Sequence, residues 1–514
     1  MIETKSAVDY ISIDGESLSL EQVISVARGC APVRLHVSGK AKLIKSRGVV
    51  EKILAGDQVV YGVNTGFGKF SDVTISPEDR NMLQRNIIMS HACGVGEPLP
   101  REAVRAMMLL RANSLTKGFS GVRLEVVQLL LDLLNNNIHP VVPCKGSVGA
   151  SGDLVPLAHI ALTMIGLGEV EYQGRVIPSA EVFKQVKLHP VTLSAKEGLA
   201  LINGTQYMSA LGCLAVYDAM ELIKASTVSA AMTFEALEGL PNAYDPRIHD
   251  ARPHSGQKRC AMAMRRLLDG SELITRKNHK RVQDAYTLRC IPQVHGASLD
   301  AVDYVKKVLE TEINSATDNP LIFPEAGDVI SGGNFHGQPL ALALDFLAIA
   351  VSELGSIAER RIERLVNPAL SGLPPFLTER GGLNSGLMIL QYAAASLASE
   401  NKVLGHPASL DSIPTSGNQE DHVSMGSIAA KKAGTVIDNV YWIIAGEMLA
   451  AAQALDFVKH NIGKGARLAR NLVREVIPHW DDDRVLYKDL HRVRDLLLTG
   501  MVNRKVEMEV GLLV

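Results

Sequence analysis

The residues with the most unusual chemical potential in this chain are Ala150-Ser151-Gly152, within the glycine-rich segment 145–154. In a tightly bent loop, the amide nitrogen of Gly152 can attack the carbonyl carbon of Ala150, and loss of water closes a five-membered ring. Loss of the Ser151 hydroxyl then leaves a 4-methylidene-imidazol-5-one, an electrophile made from the chain alone. Glycine favours the attack because it has no Cβ, and the neighbouring glycines permit the bend.

The same tripeptide allows two simpler interpretations. In one, the glycines form an ordinary turn and Asp153 caps a helix that begins near Leu154. In the other, the loop binds a phosphate group at the N-terminus of that helix. Because so short a motif also occurs by chance, the choice between these interpretations depends on the rest of the chain.

The composition is that of a folded protein with no strong charge imbalance. Of the 514 residues, 46% are hydrophobic and 21% are charged, and the net charge of −2 argues against nucleic acid or an anionic membrane as a partner. The six scattered cysteines contain no CxxC pair, which indicates neither a metal site nor a disulfide framework. Together with an N-terminus that lacks a signal-peptide pattern, they predict a cytoplasmic location.

Apolar residues at helical spacing predict long helices over much of the chain. These helices are predicted at 101–115, 122–134, 154–167, 339–366, 383–403 and 423–458. Since several exceed the usual length of about 11–12 residues, we predict a mainly α fold, a long-helix bundle with a smaller mixed N-terminal region that carries short strands. The chain is then one body, with the mixed part at roughly 1–200 and the bundle at roughly 201–514.

Short local signals predict how some of these elements begin and end. Gln173-Gly174 is typical of a hairpin turn, and Ser194 with Glu197 forms the pattern of a capping box that opens a long helical stretch. Ser120 is a candidate cap for the helix that follows it. The segment 241–300 is rich in Arg and His, and we expect irregular surface or subunit-contact loops there.

The segment 440–455 is apolar enough to suggest a membrane helix, but it is too short to span a bilayer. Glu447 and Gln453 also interrupt it. A helix that is apolar on most faces is buried instead, so we predict burial in the bundle and contact with other subunits of an oligomer.

Further polar clusters lie far apart in the sequence. Each alone is explained by a capped helix or a paired buried polar group. The residues in these clusters are Tyr61, His91, Asn203, Gln283, Tyr286, Arg289, Phe335 and Glu420.

Jointly these clusters resemble one family, the aromatic amino acid ammonia-lyases. The resemblance spans almost the whole chain, and several of its runs have eight or more residues in the family's order. The runs include 61–68, 83–86, 90–92, 146–153, 196–206, 283–289, 331–336 and 414–425. It implies that Ala150-Ser151-Gly152 form the methylidene-imidazolone, with no external cofactor and no metal. It also implies a homotetramer whose active sites are built from several subunits.

The resemblance implies roles for individual residues. Tyr61 is the base, as a phenolate that nearby positive helix ends would favour, and Arg289 binds the substrate carboxylate. Asn203, Gln283 and Tyr286 orient the ring and the substrate. Phe335 packs near them, and Met388 lies beside the aromatic ring of the substrate.

Ser90-His91 and Glu420 are similar to the histidine-specific members of the family. An imidazole and a carboxylate can hydrogen-bond the nitrogens of a substrate imidazole, whereas a phenyl ring would leave both unpaired. We therefore expect ammonia to be removed from L-histidine to give trans-urocanate, the first step of histidine degradation. The alternatives are a phenylalanine or tyrosine ammonia-lyase, or an aromatic 2,3-aminomutase. The sequence also leaves open whether Tyr61 or Glu420 is the dominant base.

Overall fold

The computed structural model describes residues 10–56, 58–276 and 281–514. The chain divides into two compact units, and neither is continuous in sequence. The first unit comprises Met1–Leu214, Lys306–Leu344 and Pro407–Lys431, and the second comprises Ala215–Val305, Asp345–His406 and Lys432–Val514. The boundary proposed near residue 200 within one body therefore stays a prediction.

The chain is mainly helical, as predicted. In chain order the helices are α1 Leu20–Ala27, α2 Val37–Ala55, α3 Arg80–His91, α4 Arg101–Thr116, α5 Leu124–Asn135, α6 Leu154–Met164, α7 Ser179–Val186, α8 Glu197–Ile202, α9 Gln206–Ala236, α10 Pro246–Ala251 and α11 Ser255–Leu267. They continue with α12 Glu272–Thr275, α13 Tyr286–Arg289, α14 Ile291–Glu312, α15 Gln338–Val366, α16 Pro368–Ser371, α17 Met388–Leu404, α18 Gly426–Leu455, α19 Lys464–Val476, α20 Leu486–Leu498 and α21 Met501–Val510.

Short strands form four small sheets in the described part of the first unit. The strands are β1 Ile11–Ile13, β2 Val33–Leu35, β3 Val95–Pro98, β4 His139–Pro140, β5 Pro143–Lys145, β6 Glu169–Tyr172, β7 Arg175–Pro178, β8 Leu321–Phe323 and β9 Asp328–Ile330. β1 and β2 pair in parallel with Ile11 opposite Val33, and the other pairs are antiparallel: β3 with β5, β6 with both β4 and β7, and β8 with β9.

Two of the signals that act between near neighbours in sequence are confirmed. The hairpin of β6 and β7 turns at Gln173-Gly174, with Tyr172 opposite Arg175. α15 begins at Gln338, so that Pro339 occupies its first turn, and it ends at Val366 before Asn367-Pro368.

Two predictions about helix starts are wrong in detail. α5 begins after Arg123 rather than after Ser120, and Arg123 makes no side-chain cap. The capping box at Ser194 is only half formed, because the Glu197 carboxylate accepts from Ser194 N but the position before α8 is Lys196. α8 is also only six residues long, and the long α9 starts separately after it.

The prediction of irregular structure at 241–300 is wrong, whereas the expected subunit contacts of this segment stay a prediction. α11 and the first part of α14 lie in this segment, and α11 buries Cys260, Met264 and Leu267 on one face. The many Arg and His residues of the segment concealed this amphipathic pattern. Residues 277–280 of the segment, and the N-terminal residues 1–9, lie outside the described residues.

Buried arginines on α4 hold the core of the first unit together. Arg105 donates to Val26 O at 2.8 Å and to Leu134 O at 3.1 Å. Arg111 lies further along α4 and donates to Gln206 Oε1 at 2.7 Å. Because these guanidinium groups satisfy backbone and side-chain acceptors, both arginines are accommodated in the core.

The second unit is built around the apolar part of α18, and the predicted burial of 440–455 within the chain is confirmed. Glu447 is fully buried there, and it is paired with the equally buried Arg361 at 2.6 and 2.9 Å. Thr233 Oγ1 donates to the same carboxylate at 2.8 Å. The charge that interrupts this apolar helix is therefore neutralised inside the unit.

In the described part of the chain, one helix, α15, is long and apolar enough to cross a membrane. Within the protein, 61% of its most apolar 18-residue window is buried. Burial of this kind is typical of a core helix.

Candidate active site

The loop between β5 and α6 bends sharply at three glycines. Gly146, Gly149 and Gly152 all have positive φ angles. A Cβ on Gly152 would lie 2.3 Å from the carbonyl oxygen of Gly204, so a larger residue cannot replace this glycine without moving the backbone. The amide of Asp153 donates to the same oxygen at 2.7 Å, which fixes the end of the loop.

Asp153 does not cap α6 with its side chain, so the simple capping interpretation is wrong. Its carboxyl group is fully buried and instead accepts from Met208 N and from Ser147 Oγ, each at 3.0 Å. Burial raises the pKa of Asp153 to about 7. The side chain thus ties both ends of the loop to the start of α9.

Asn203 lies at the break between α8 and α9 and faces the loop. Its Nδ2 donates to Ser151 O at 2.9 Å, while Arg111 donates to its backbone carbonyl at 3.2 Å. Among the described residues, its buried Oδ1 has no hydrogen-bond partner. A buried unpaired acceptor beside Ser151 is a position where a ligand donor would be stabilised.

Glu420 approaches Ser151 from a distant part of the chain. Its Oε1 accepts the Ser151 hydroxyl at 2.8 Å, and its Oε2 accepts the Thr415 hydroxyl at 2.6 Å. The backbones of Thr415 and Glu420 also pair, with Thr415 N donating to Glu420 O at 2.9 Å. Glu420 therefore sits on a closed turn that fixes the direction of its carboxylate.

Tyr61 lies in the glycine-rich loop that precedes α3, and its hydroxyl accepts from Gly68 N at 3.4 Å. Burial raises the pKa of the Tyr61 phenol, and the negative charges of Glu420 and Asp318 raise it further. We expected positive helix ends to favour the phenolate, but this environment favours the neutral phenol.

His91 is the last residue of α3, and its Nδ1 shares a hydrogen bond with Ser90 Oγ at 3.0 Å. Burial lowers the pKa of the His91 imidazole, and the charge of Glu420 opposes this shift only in part. The ring is therefore neutral near pH 7 and can donate or accept one hydrogen bond.

These residues surround one cavity of about 1030 Å³ in the first unit. The predicted residues that line it are Tyr61, His91, Ala150, Ser151, Asn203, Phe335 and Glu420. Gly152 directly follows Ser151 in the loop. The structure thus brings together eight of the twelve predicted site residues, from segments that are widely separated in sequence.

Several lining residues were not predicted. His336 and His422 stack with their rings nearly parallel at 5.9 Å, and His336 Nε2 lies 3.3 Å from His422 O. Asn319 lines the cavity next to Asp318, whose carboxylate pairs with Lys196 at 2.7 Å in the core. The glycine-rich run at 331–336 was a signal that could have indicated His336. No local pattern predicts the buried pair of Lys196 and Asp318.

Comparison with known proteins assigns the chain to a family. The sequence profile described as "Aromatic amino acid lyase" matches residues 18–475. The chain belongs to this family.

The similarity to individual lyases extends over nearly the full length. The chain is 57% identical to a histidine ammonia-lyase of Caldanaerobacter subterraneus subsp. tengcongensis, over 97% of this chain and 98% of that protein. Among solved structures, it resembles histidine ammonia-lyase from Trypanosoma cruzi, with a TM-score of 0.91 and 45% identity over 98% and 96% of the two chains. It also resembles a tyrosine aminomutase from Streptomyces globisporus, with a TM-score of 0.93 and 39% identity over 98% and 99% of the two chains.

The other four site residues predicted for this lyase belong to the second unit. Tyr286 and Arg289 share the short helix α13, and the guanidinium carbon of Arg289 lies 4.5 Å from the centre of the Tyr286 ring. Gln283 is exposed just before this helix, and Met388 begins α17. Within the described residues, the buried Nε of Arg289 has no hydrogen-bond partner. The roles of these four residues stay predictions.

Proposed function

We propose that this lyase removes ammonia from L-histidine and releases trans-urocanate, as the first step of histidine degradation. The observation that carries the proposal is the contact of Ser151 Oγ with Glu420 Oε1 at 2.8 Å, in a cavity that His91 also lines. Relatives 57% and 54% identical over nearly the whole chain bear the name histidine ammonia-lyase, which supports the same substrate.

We propose that Ala150, Ser151 and Gly152 form a methylidene-imidazolone and that no external cofactor is used. The residues fit such a group, because the loop is sharply bent, Gly152 has no room for a side chain, and Ser151 O already accepts a hydrogen bond from Asn203. When formed, the group supplies an electron-poor carbon that turns the amine of an amino acid into a leaving group.

Tyr61 is the proposed base that takes the proton from the carbon next to the substrate imidazole. Its phenol lines the same cavity as Ser151, and the glycines around it allow this loop to exclude water. Because burial raises the pKa of Tyr61, the reactive phenolate becomes more abundant as the pH rises.

Glu420 and His91 are proposed to bind the imidazole of the substrate. The carboxylate of Glu420 accepts an N–H, and the neutral His91 ring provides a second polar contact. A phenyl ring would bury both groups without partners, so the pair discriminates in favour of histidine.

Four further residues are proposed to contact the rest of the substrate. Arg289 is assigned to the substrate carboxylate, because a guanidinium binds a carboxylate with two parallel hydrogen bonds. We assign Gln283 and Tyr286 to orienting the substrate and Met388 to packing against its ring.

A homotetramer with active sites shared between subunits is proposed for the assembled enzyme. α17 carries exposed apolar residues on one face, including Ile389, Tyr392 and Val403, which are 57%, 63% and 74% exposed. Such a face is suited to pack against a further copy of the chain. Size-exclusion chromatography with light scattering tests this, and a fully active monomer would contradict it.

We also propose a cytoplasmic location and a small-molecule substrate as the only partner besides other copies of the chain. All six cysteines are free in the structure, which is consistent with a reducing compartment.

The purified protein incubated with L-histidine should produce urocanate, which is followed by its ultraviolet absorbance. Parallel incubations with phenylalanine and tyrosine test for cinnamate, coumarate and β-amino acids, since the likeness to a tyrosine aminomutase makes an aminomutase the alternative. A preference for either of these substrates would overturn the histidine proposal. Ser151→Ala should fold and assemble but lose at least about a thousandfold in turnover.

A further inference from the structure

Three consecutive carbonyl groups directly before Ala150 are held by one short segment at the start of α18. The pairs are Ser147 O with Ser427 Oγ at 2.6 Å, Val148 O with Met425 N at 2.9 Å, and Gly149 O with Ser424 Oγ at 2.9 Å. Two of the three donors are side-chain hydroxyl groups. Substitution can therefore remove them without altering the backbone.

The hydroxyl of Ser424 is oriented as well as close. It accepts from Gly426 N at 3.2 Å, which directs its own proton to Gly149 O. Gly149 has a φ of +67°, and a Cβ there would lie 2.3 Å from Ser424 Oγ. The loop and the segment 424–427 are thus packed against each other with no space between them.

The other end of the tripeptide is held separately. Asn203 Nδ2 donates to Ser151 O at 2.9 Å, and Asp153 N donates to Gly204 O at 2.7 Å. Hydrogen bonds therefore anchor the chain on both sides of Ala150, and few backbone angles remain free between the anchors.

We propose that Ser424 and Ser427 are positioning residues for ring formation. This inference rests on the proposed methylidene-imidazolone and adds the residues that bring its reacting atoms together. An unanchored loop would have to lose conformational freedom to place Gly152 N against the Ala150 carbonyl carbon. The two hydroxyl groups reduce that loss in advance, because they fix the carbonyl groups leading into Ala150.

The reaction that they assist is balanced without an oxidant or a reductant. A bond forms between Gly152 N and the carbonyl carbon of Ala150. The carbonyl oxygen of Ala150 leaves as water with the amide protons of Gly152 and Ser151. The hydroxyl of Ser151 then leaves as a second water with the Cα proton of the same residue. The mature chain is two waters lighter than its sequence.

Cell-free synthesis followed by intact-mass measurement over time tests the proposal without any activity assay. The Ser424→Ala/Ser427→Ala double variant should lose its two waters roughly tenfold more slowly than the wild type. Ser427→Thr, which keeps a hydroxyl group, should restore most of the rate. Ser412→Ala is the matched control, since Ser412 Oγ accepts from Val423 N and should leave the rate unchanged.

The result that overturns the proposal is a folded double variant that cyclises at the wild-type rate. Ring formation that is slowed equally in Ser412→Ala also overturns the proposal, because the effect would then not depend on the hydroxyl groups of Ser424 and Ser427. If circular dichroism shows that the double variant does not fold, the single variant Ser427→Ala is measured instead. We expect it to lose the two waters about threefold more slowly than the wild type. A wild type that keeps both waters refutes the ring itself, whereas a cyclised wild type that makes no urocanate refutes only the histidine substrate.

Discussion

Ser151 and Glu420 are 269 positions apart in the chain, yet the Ser151 hydroxyl donates to Glu420 Oε1 at 2.8 Å. The other carboxylate oxygen accepts the Thr415 hydroxyl at 2.6 Å, a contact that remains when the proposed ring formation removes the Ser151 hydroxyl. A carboxylate held in this way keeps one orientation at the wall of the cavity. We therefore propose that Glu420 binds the substrate, with the oxygen that Ser151 releases available to accept an N–H of the substrate imidazole.

Tyr61→Phe and Glu420→Gln separate the two candidate bases. We expect Tyr61→Phe to lower kcat by about 10²–10⁴-fold with little change in KM, because it removes proton transfer and keeps the ring. Glu420→Gln should raise KM for L-histidine more than it lowers kcat, because it weakens imidazole binding. Steady-state kinetics of both variants check this, and the opposite pattern would assign the base to Glu420.

The pKa of Tyr61 also predicts a pH dependence. Because burial raises this pKa, the phenolate is a minor form at neutral pH and increases as the pH rises. The kcat of the wild type should therefore increase into the alkaline range, and Tyr61→Phe should lose this increase. A rate that is independent of pH above neutrality would argue against a tyrosine base.

His91→Leu tests the basis of substrate choice. The variant removes a polar contact for the substrate imidazole, so kcat/KM for L-histidine should fall by about 10–100-fold. The kcat/KM for phenylalanine should fall less or should rise, because the leucine packs against a phenyl ring. Competition between the two substrates measures the ratio, and an unchanged preference would place the discrimination elsewhere in the cavity.

Asp153→Asn tests the buried carboxyl group beside the ring-forming loop. The pKa of Asp153 is about 7 in the folded protein against an ordinary value of 3.8, so the folded state keeps this proton where the unfolded chain releases it. This proton therefore contributes to the free energy of unfolding. The contribution is complete below pH 3.8 and is lost as the pH rises to about 7, and it amounts to a difference on the order of 4 kcal/mol.

An asparagine can still accept from Met208 N and can donate to Ser147 Oγ, and it does not titrate. Thermal melting between pH 5 and 8 should therefore decline less steeply with rising pH in the Asp153→Asn variant than in the wild type. Parallel curves for the two proteins would show that this carboxyl does not control the dependence.

Glu447→Gln tests the buried ion pair of the second unit. Arg361 would remain fully buried without a carboxylate, and the free energy of unfolding should fall by about 3–5 kcal/mol. We expect a clear fall in melting temperature. The exposed pair of Asp269 with Lys464 provides the control, because Asp269→Asn should leave the melting temperature nearly unchanged. Similar effects of the two substitutions would contradict the assignment of Glu447 to the core.

Some contacts between near neighbours could be predicted from the sequence. The hairpin at Gln173-Gly174 and the start of α15, with Pro339 in its first turn, depend on backbone preferences that act within a few residues. The burial of 440–455 follows from its composition, because an apolar helix is most stable away from water. The family resemblance extended the prediction to the residues that the structure brings to one cavity.

Only the tertiary structure determined how polar side chains are used once they are buried. Asp153 resembled a helix cap, but its carboxyl is turned towards Met208, and Tyr61 lies where burial and two carboxylates oppose its ionisation. Ser424 and Ser427 could not be assigned a role from local spacing, because the backbone carbonyls that they hold lie 275 and 280 positions away in the chain. Spacing along the chain records short-range geometry, whereas these electrostatic and hydrogen-bonding environments depend on residues that are far apart in the sequence.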